Sequence, residues 1–208
     1  MNNNSAIPFD NPAASEEGQM TTNEPDPVIV RLATTQDAKY ALFIVKEMEA
    51  SAIARGTGIR HRSVEHICEK MSSGHAVIAT TQKGKWVGFS YVDVWENGKF
   101  VSNSGMIVSP QYRKNGVANA IKKQTFDLSR RRYPQAHIFS ITSGSAIMKL
   151  NTKYGFAPVA YEEITKDKIF WHQCRHCVNF NILESKEYKN CICTAMLYTA
   201  NQQKEIIE

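Results

Sequence analysis

The stretch FVSNSGMIVSPQYRKNGVA, from Phe100 to Ala118, contains a change from strand periodicity to helix periodicity. Its first part, up to Val108, is rich in β-branched and aromatic side chains, which favours a β-strand. Ser109-Pro110 interrupts this pattern, because proline marks a boundary between elements. A helical spacing of side chains begins after it, at Val117, Ile121, Thr125 and Leu128. We therefore predict a strand, a short loop and a helix.

The loop between this strand and this helix has the sequence RKNGVA, residues 113–118. Its glycine and its alanine leave backbone N–H groups uncovered at the start of a helix, where the helix dipole also favours negative charge. Arg113 and Lys114 add positive charge, and the pair Lys122-Lys123 suits the same phosphate-bearing ligand. A Walker loop or a dinucleotide fingerprint requires glycines that this loop lacks. The loop predicts another kind of phosphate site, with an ordinary strand-to-helix turn as the alternative.

The pattern R-x-x-G-x-A after a strand ending in V-S-P resembles motif A of the GNAT superfamily of CoA-dependent N-acyltransferases, usually [QR]-x-x-G-x-[GA]. Arg113, Gly116 and Ala118 match this motif, and Lys114 stands where a further glycine is frequent. Residues 145–156, SAIMKLNTKYGF, resemble motif B, the helix ending in [LY]-G-F that packs beside the pantetheine arm. A predicted strand, HIFSIT (137–142), separates the two motifs, which therefore follow each other in the order of the superfamily.

The resemblance implies an α/β fold of the α+β type, with a mixed, mostly antiparallel central sheet flanked by helices. The sequence predicts a helix after Thr34-Thr35, a helix from Ser63 to about Met71, and strands at 28–32, 76–81, 86–95 and 99–108. We expect three regions along the chain: a disordered tail over 1–27, the acyltransferase domain over 28–165, and a C-terminal extension over 166–208 that carries a cysteine cluster and a last strand.

The resemblance also implies the chemistry, in which an acceptor amine attacks the thioester of acetyl-CoA or another short acyl-CoA directly, in a ternary complex. The backbone of Ile107 and Val108 would pair with the pantetheine and polarise the thioester carbonyl. Asn151 would lie beside the same pantetheine arm. The pyrophosphate would be bound by the amides of Arg113, Lys114, Asn115, Gly116, Val117 and Ala118.

The strand positions where some relatives in this superfamily carry a glutamate hold Ser102, Asn103 and Ser104 in this chain. None of these side chains is a base at neutral pH. The candidate bases are therefore Glu96 and Asp93 on the preceding strand, or a relay water.

The tyrosine that protonates the departing thiolate in many relatives is replaced by Asn151. Tyr154 and Tyr91 are alternative proton donors. Core packing is a competing explanation for Tyr154, because tyrosine rings commonly pack in cores.

Three arginines, Arg55, Arg60 and Arg62, fall in the loop that borders the acceptor pocket in this superfamily. The planar guanidinium matches a carboxylate with two hydrogen bonds. They predict an acceptor amino acid with at least one carboxylate, such as glutamate, and a solvated basic loop is the alternative. An α-amine also loses its proton more readily than a lysine side chain, which makes the missing strong base less important.

The C-terminal part of the chain carries a C-x-x-C pair, Cys174 and Cys177, and a C-x-C pair, Cys191 and Cys193. Four thiolates are a frequent ligand set for structural zinc, and His172 or His176 is a possible substitute ligand. The alternative is that Cys191 and Cys193 lie on one face of the strand CICTAMLY and pack as small apolar side chains. The whole chain resembles small bacterial GNAT proteins with such a cysteine extension, which are loosely linked with arginine biosynthesis.

The composition sets broad limits on the function. The chain has 208 residues, 42% hydrophobic residues and a net charge of +5. No apolar run is long enough for a membrane helix, no targeting segment is apparent, and basic residues are not interleaved with aromatics as in nucleic-acid binders. We expect a cytoplasmic protein whose partner is a small-molecule amine, with homodimer formation left open. The second functional hypothesis is an acyl-CoA-binding sensor or partner-binding module without turnover.

Overall fold

A computed structural model describes residues 26–56 and 61–200 of the chain. In this part of the protein, the strands form one seven-stranded sheet of order β1-β2-β3-β4-β5-β7-β6. Neighbouring strands are antiparallel except for β4 and β5, so the sheet is mixed as predicted. The strands are β1 (Val28–Leu32), β2 (Ala76–Thr81), β3 (Trp86–Trp95), β4 (Phe100–Val108), β5 (His137–Thr142), β6 (Ala157–Val159) and β7 (Thr194–Tyr198).

The α-helices of the described residues are α1 (Ala41–Ala54), α2 (Val64–Ser72), α3 (Val117–Arg132), α4 (Ser145–Lys153), α5 (Lys168–His172) and α6 (Phe180–Ser185). Ser63 caps α2, because its side-chain oxygen accepts the backbone N–H of His66. A 3₁₀ turn, Thr35–Tyr40, precedes α1. The predicted strands and the helices of both motifs are therefore confirmed, except that β7 begins at Thr194 and not at Cys191. The short strand β6 was not predicted.

The helices cover the two faces of the sheet with separate apolar cores. On one face, α1 and α2 pack against β2 and β3, with Ile44, Ile67 and Phe89 fully buried. On the other face, α3 packs through Ile121 against β3 and β4. Burial of such side chains is the main source of stability, at roughly 1.5–3 kcal/mol for each large one.

Two irregularities of β4 open the sheet at its centre. The parallel pairing of β4 with β5 ends at Ser102 and Phe139, beyond which the two strands separate. The register with β3 also shifts between Tyr91, opposite Ser104, and Phe89, opposite Ile107. This β-bulge falls at Gly105, whose φ is +63°. The fork between β4 and β5 therefore lies beside a bulge in β4, the strand that precedes the predicted phosphate loop.

The cysteine-bearing segment, which we also call the inserted segment, lies between β6 and β7. Strand β7 occupies the middle position between β5 and β6, so the segment is attached to the sheet at both ends. Because β7 begins at Thr194, Cys191 and Cys193 precede the strand, so the alternative that they lie on one of its faces is wrong. Cys191 nevertheless packs against the apolar core, as that alternative expected.

Several expectations fall outside the described residues. They are the disordered tail, apart from its last residues 26 and 27, the end of the predicted extension from 201 to 208, and Arg60 in the loop after α1. Among the described helices, none combines the length and the apolar character needed to cross a membrane.

Candidate active site

The loop after β4 has the backbone shape of an anion site. A 3₁₀ turn at Pro110–Tyr112 leads to Lys114 and Gly116, whose φ angles of +68° and +79° are both in the left-handed region. Gly116 is the N-cap of α3, and no side chain of the described residues caps the first turn. A β-carbon added at Gly116 would meet no atom within 4 Å. The first amides of α3 therefore face open space at the positive end of the helix dipole.

The Arg113 side chain turns away from this loop. Its Nε donates to the carbonyl of Val108 at 3.0 Å, and its Nη2 lies 3.4 Å from Ser51 Oγ on α1. Glu47 Oε1 is 3.8 Å from the same nitrogen. The guanidinium therefore ties α1 to the end of β4, while Lys114 and Asn115 are exposed in the loop.

A cavity of about 220 Å³ lies at the fork between β4 and β5. It is bordered by the β4 bulge, the end of β5, the start of α4, α1 and the loop after it, and the cysteine-bearing segment. The lining residues are Arg55, Arg62, Ser102, Asn103, Ser104, Gly105, Met106, Phe139, Ser140, Ile141, Thr142, Ser143, Ile147, Phe170, Cys174, Cys177 and Cys193. We call this space the fork cavity.

Two of the predicted acceptor residues meet at the fork cavity. Arg62 donates from Nε to the hydroxyl of the buried Tyr91 at 2.6 Å, and Arg55 donates to Ser51 Oγ. Burial lowers the pKa of Arg55, and the nearby positive charge of Arg113 lowers it further. None of the described residues that line the cavity is a carboxylate. The wall therefore presents positive charge without an acidic side chain to balance it.

The predicted bases do not line this cavity. Glu96 lies at the turn between β3 and β4, where its carboxylate accepts hydrogen bonds from Thr165 Oγ1 at 2.8 Å and from the Lys166 amide at 2.6 Å. Asp93 is buried on β3, 3.1 Å from Lys70 Nζ and 3.9 Å from His66 Nε2. Both carboxylates are thus engaged in contacts outside the fork cavity.

The predicted groups near the end of α4 are also turned away from the fork cavity. The Tyr154 hydroxyl lies 3.2 Å from the carbonyl of Asn119 on α3, and burial raises the pKa of this phenol. Asn151 is buried, with its Nδ2 3.6 Å from Met196 Sδ and its Oδ1 without a hydrogen-bond partner in the structure. An unpaired buried amide oxygen is unusual, which leaves Asn151 with one acceptor atom still available.

Lys122 corrects one expectation from the sequence. It is only 1% exposed, whereas its neighbour Lys123 is exposed and pairs with Asp127 at 2.7 Å. The prediction that Lys122 helps to bind a phosphate at the surface is therefore wrong. The last turn of α3 carries Arg130, Arg131 and Arg132, where the negative end of the helix dipole favours cations.

The four cysteines of the inserted segment lie around a second, apolar cavity of about 50 Å³, and three of them also line the fork cavity. Burial raises the pKa of the Cys193 thiol to about 12, and the neighbouring thiols add to this shift. No three His, Cys, Asp or Glu side chains of the described residues are arranged to hold a metal ion as they stand. His172 and His176 are not among the residues that line this second cavity.

Several features of the site were missed by sequence reasoning. Gly105 forms the bulge, and a glycine inside a strand pattern was an available signal for it. Phe170 and the cysteines reach the fork cavity because the inserted segment folds back over the end of the sheet. No local pattern predicts this contact, because it depends on how distant parts of the chain pack together.

The fold was compared with known proteins. No protein-family model matches the sequence, and no curated protein matches it significantly. The structure is similar to N-acetylglutamate synthase from Neisseria gonorrhoeae, solved with coenzyme A and N-acetyl-glutamate, with a TM-score of 0.60 and 13% identity over 86% of this chain. This chain spans only 36% of that synthase.

Two further solved structures have a similar fold. Rv2747 from Mycobacterium tuberculosis, in complex with CoA, has a TM-score of 0.59 and 19% identity, covering 82% of this chain and 98% of its own. A GNAT superfamily phosphinothricin acetyltransferase from Sinorhizobium meliloti, in complex with AcCoA, has a TM-score of 0.54 and 13% identity, covering 82% and 87%. The chain therefore has the fold of the GNAT acetyltransferases.

Proposed function

We propose that this protein is an N-acyltransferase that moves an acetyl or other short acyl group from acyl-CoA to the amine of a small acceptor. The observation that carries the proposal is the fork between β4 and β5, which opens beside a β4 bulge and next to a glycine-capped helix. This geometry suits two parts of an acyl-CoA: the thioester with its carbonyl in the fork, and the pyrophosphate at the start of the helix. A fold alone does not fix an activity, so the support comes from this geometry.

The acyl-CoA would lie along β4, with the backbone of Ile107 and Val108 facing the pantetheine and the amides after Gly116 binding the pyrophosphate. Gly116→Glu tests this placement, because it puts a negative charge where phosphate would bind. We expect calorimetry to show at least a tenfold loss of acetyl-CoA affinity. Gly98→Glu is the matched control, since Gly98 also has a positive φ and open space around it but lies at the opposite end of β4. Equal affinity in both variants would contradict the placement.

We propose an acceptor amino acid with at least one carboxylate, such as glutamate. Arg55 and Arg62 on the wall of the fork cavity support this choice, because guanidinium groups bind carboxylates and repel cationic amines. Arg62→Ala and Arg60→Ala should raise the KM for the acceptor while leaving that for acyl-CoA nearly unchanged. A comparable rise in both constants would indicate a general loss of structure instead.

The proton of the attacking amine has no carboxylate acceptor on the described wall of the cavity. An α-amine, with a reference pKa of about 8, is partly neutral near neutral pH, whereas a lysine side chain at about 10.4 is not. The chain would therefore rely on orientation and on carbonyl polarisation, with water carrying the proton away. This is consistent with an amino acid rather than a protein lysine as acceptor.

The second candidate is a sensor that binds acyl-CoA without turnover. It is favoured by Asn151, which replaces the tyrosine of many relatives and lies outside the fork cavity, and by the lack of an acidic side chain among the described lining residues. The arginines on the wall favour the enzyme, because a sensor needs no acceptor site. Release of free CoA thiol on adding candidate amines separates the two.

We also propose that the four thiols bind one structural zinc ion. Their position around one small apolar cavity supports this, although binding would have to draw the thiolates together. Elemental analysis of protein purified without added metal or chelator should give close to one zinc per chain. Cys177→Ser should lose the metal, and Cys68→Ser on α2 should keep it. A metal-free protein that is as stable as the protein as purified would contradict the zinc proposal.

A further inference from the structure

Lys122 is a buried lysine that the reaction described above does not use. It lies on the face of α3 that packs against the sheet and is 1% exposed. Burial lowers its pKa from 10.5 to about 7. Among the described residues, no carboxylate lies within ion-pair distance of its Nζ atom. An ammonium in such a place lacks a counter-charge, and this is costly unless something supplies one.

The contacts of Lys122 lead towards the fork. Its Nζ donates to Asn103 Oδ1 at 3.1 Å and lies 4.0 Å from the centre of the Phe156 ring. Asn103 Nδ2 donates in turn to Ser129 Oγ at 2.8 Å, which fixes the orientation of the amide. Asn103 follows Ser102, the last residue of β4 that pairs with β5, and lines the fork cavity. The cation is therefore one side chain away from the opening between the strands.

The groups that face the ammonium are uncharged. They are the Asn103 amide from β4 and the Phe156 ring after α4. Beyond this ring, Tyr198 packs against Phe156 and carries the Arg130 guanidinium over its own ring, so the charged group found on this side is a second cation. A negative charge that forms in the fork would thus be the first counter-charge available to Lys122.

We propose that Lys122 is a positioning residue for acyl transfer, which acts through Asn103 to hold a positive charge behind the fork where the thioester reacts. This rests on the proposed function. In the step, the bond between the amine nitrogen and the acyl carbon forms and the carbon–sulfur bond breaks. Water carries the proton lost by the amine to the departing CoA thiolate, and Lys122 keeps its own proton. Its charge stabilises the negative charge that passes from the carbonyl oxygen to the sulfur.

Lys122→Met tests the proposal with a side chain of similar length and no charge. Its matched control is Lys99→Met, because Lys99 is exposed just before β4 and does not line the fork cavity. We expect kcat to fall about tenfold or more in Lys122→Met, with the KM for acyl-CoA changed less than about twofold. The ionisation near pH 7 in the wild-type kcat profile should also disappear. Unchanged kcat in a stably folded Lys122→Met protein would overturn the proposal.

A second measurement does not depend on turnover. The titration midpoint of the Lys122 Nζ group, followed by NMR, should rise when CoA is added. The ammonium favours ionisation of the bound CoA thiol, whose proton goes to solvent, and the thiolate then supplies the missing counter-charge. Adenosine 3′-phosphate 5′-diphosphate, which has the phosphates of CoA but no thiol arm, should leave the midpoint unchanged. If the wild-type protein acylates no amine but the midpoint rises with CoA, the enzyme hypothesis fails and the Lys122 site stands. A midpoint unaffected by CoA would overturn the Lys122 site itself.

Discussion

At the scale of single residues, Lys122 makes stability depend on pH. Its pKa is about 7 in the folded protein against 10.5 as the ordinary value, so the unfolded chain holds more protons between these two pH values. Stability must then rise with pH over this interval, by up to about 1.4 kcal/mol per pH unit from this group. Denaturant unfolding at pH 7 and pH 9 measures the slope.

Lys122→Met removes the titrating group, so this part of the slope should disappear in the variant. At pH 7 the variant should be more stable by about 1 kcal/mol, because an uncompensated buried charge is replaced by an apolar side chain, less the cost of leaving Asn103 Oδ1 without its donor. A variant that is less stable at pH 7 and keeps the wild-type slope would show that Lys122 does not titrate in this range.

Gly105 is the residue on which the β4 bulge depends. A β-carbon there would press on the Tyr91 ring and lie 3.1 Å from Met48 Cε, and the φ of +63° disfavours any other residue. Gly105→Ala should cost about 2–4 kcal/mol of stability and displace Tyr91 from Arg62. Gly98→Ala, with a positive φ and no neighbour within 4 Å, isolates the cost of the backbone conformation alone. Equal losses of stability in the two variants would mean that the contact with Tyr91 contributes nothing to the cost of Gly105→Ala.

Sequence reasoning succeeded for residues whose role depends on the conformation of the local backbone. Gly116 was predicted from its place between a strand and a helix, and the structure gives it the left-handed conformation of an N-cap. Lys122 was misread, because its burial depends on a partner 19 positions away on β4. Glu96 was chosen for its chemistry, yet its direction is fixed by Thr165, far along the chain.

At the scale of elements, the inserted segment between β6 and β7 shapes the fork cavity. Phe170 on α5 is buried, and its ring lies 5.2 Å from those of Trp95 and Phe139. Phe170→Ala should cost about 3–5 kcal/mol of stability and raise the KM for the acceptor more than that for acyl-CoA. Phe180→Ala is the control, because Phe180 lies on α6 of the same segment and lines only the smaller cavity. The same KM changes in both variants would argue against a role in acceptor binding.

Elements with a strong local signal were predicted well from the sequence. Strands β2, β3 and β4 have their expected positions because runs of β-branched and aromatic residues, separated by glycine turns, specify them. Strand β6 was missed, since three residues containing a proline carry almost no pattern. The limits of β7 were misjudged because cysteines are common in strands and loops alike.

At the scale of the whole molecule, the strand order joins the two ends of the chain into one sheet. Strand β7 supplies hydrogen bonds to both β5 and β6, so a chain that stops at Thr165 leaves both strands without a partner between them. A fragment of residues 1–165 should therefore fail to fold cooperatively, whereas one of residues 1–200 should unfold in a single transition. Circular dichroism during heating tests this. A cooperatively folded 1–165 fragment would show that the inserted segment and β7 are dispensable additions.

The central claim is that this fold uses its fork cavity to acylate the amine of a carboxylate-bearing amino acid. The most direct test mixes the purified protein with acetyl-CoA and a panel of amines, and follows free CoA thiol and the mass of the acetylated product. The account predicts turnover with acidic or neutral amino acids, glutamate among them, and little with polyamines or lysine peptides. Efficient acetylation of polyamines or lysine peptides with none of amino acids, or acetyl-CoA binding without release of thiol for any amine, would contradict it.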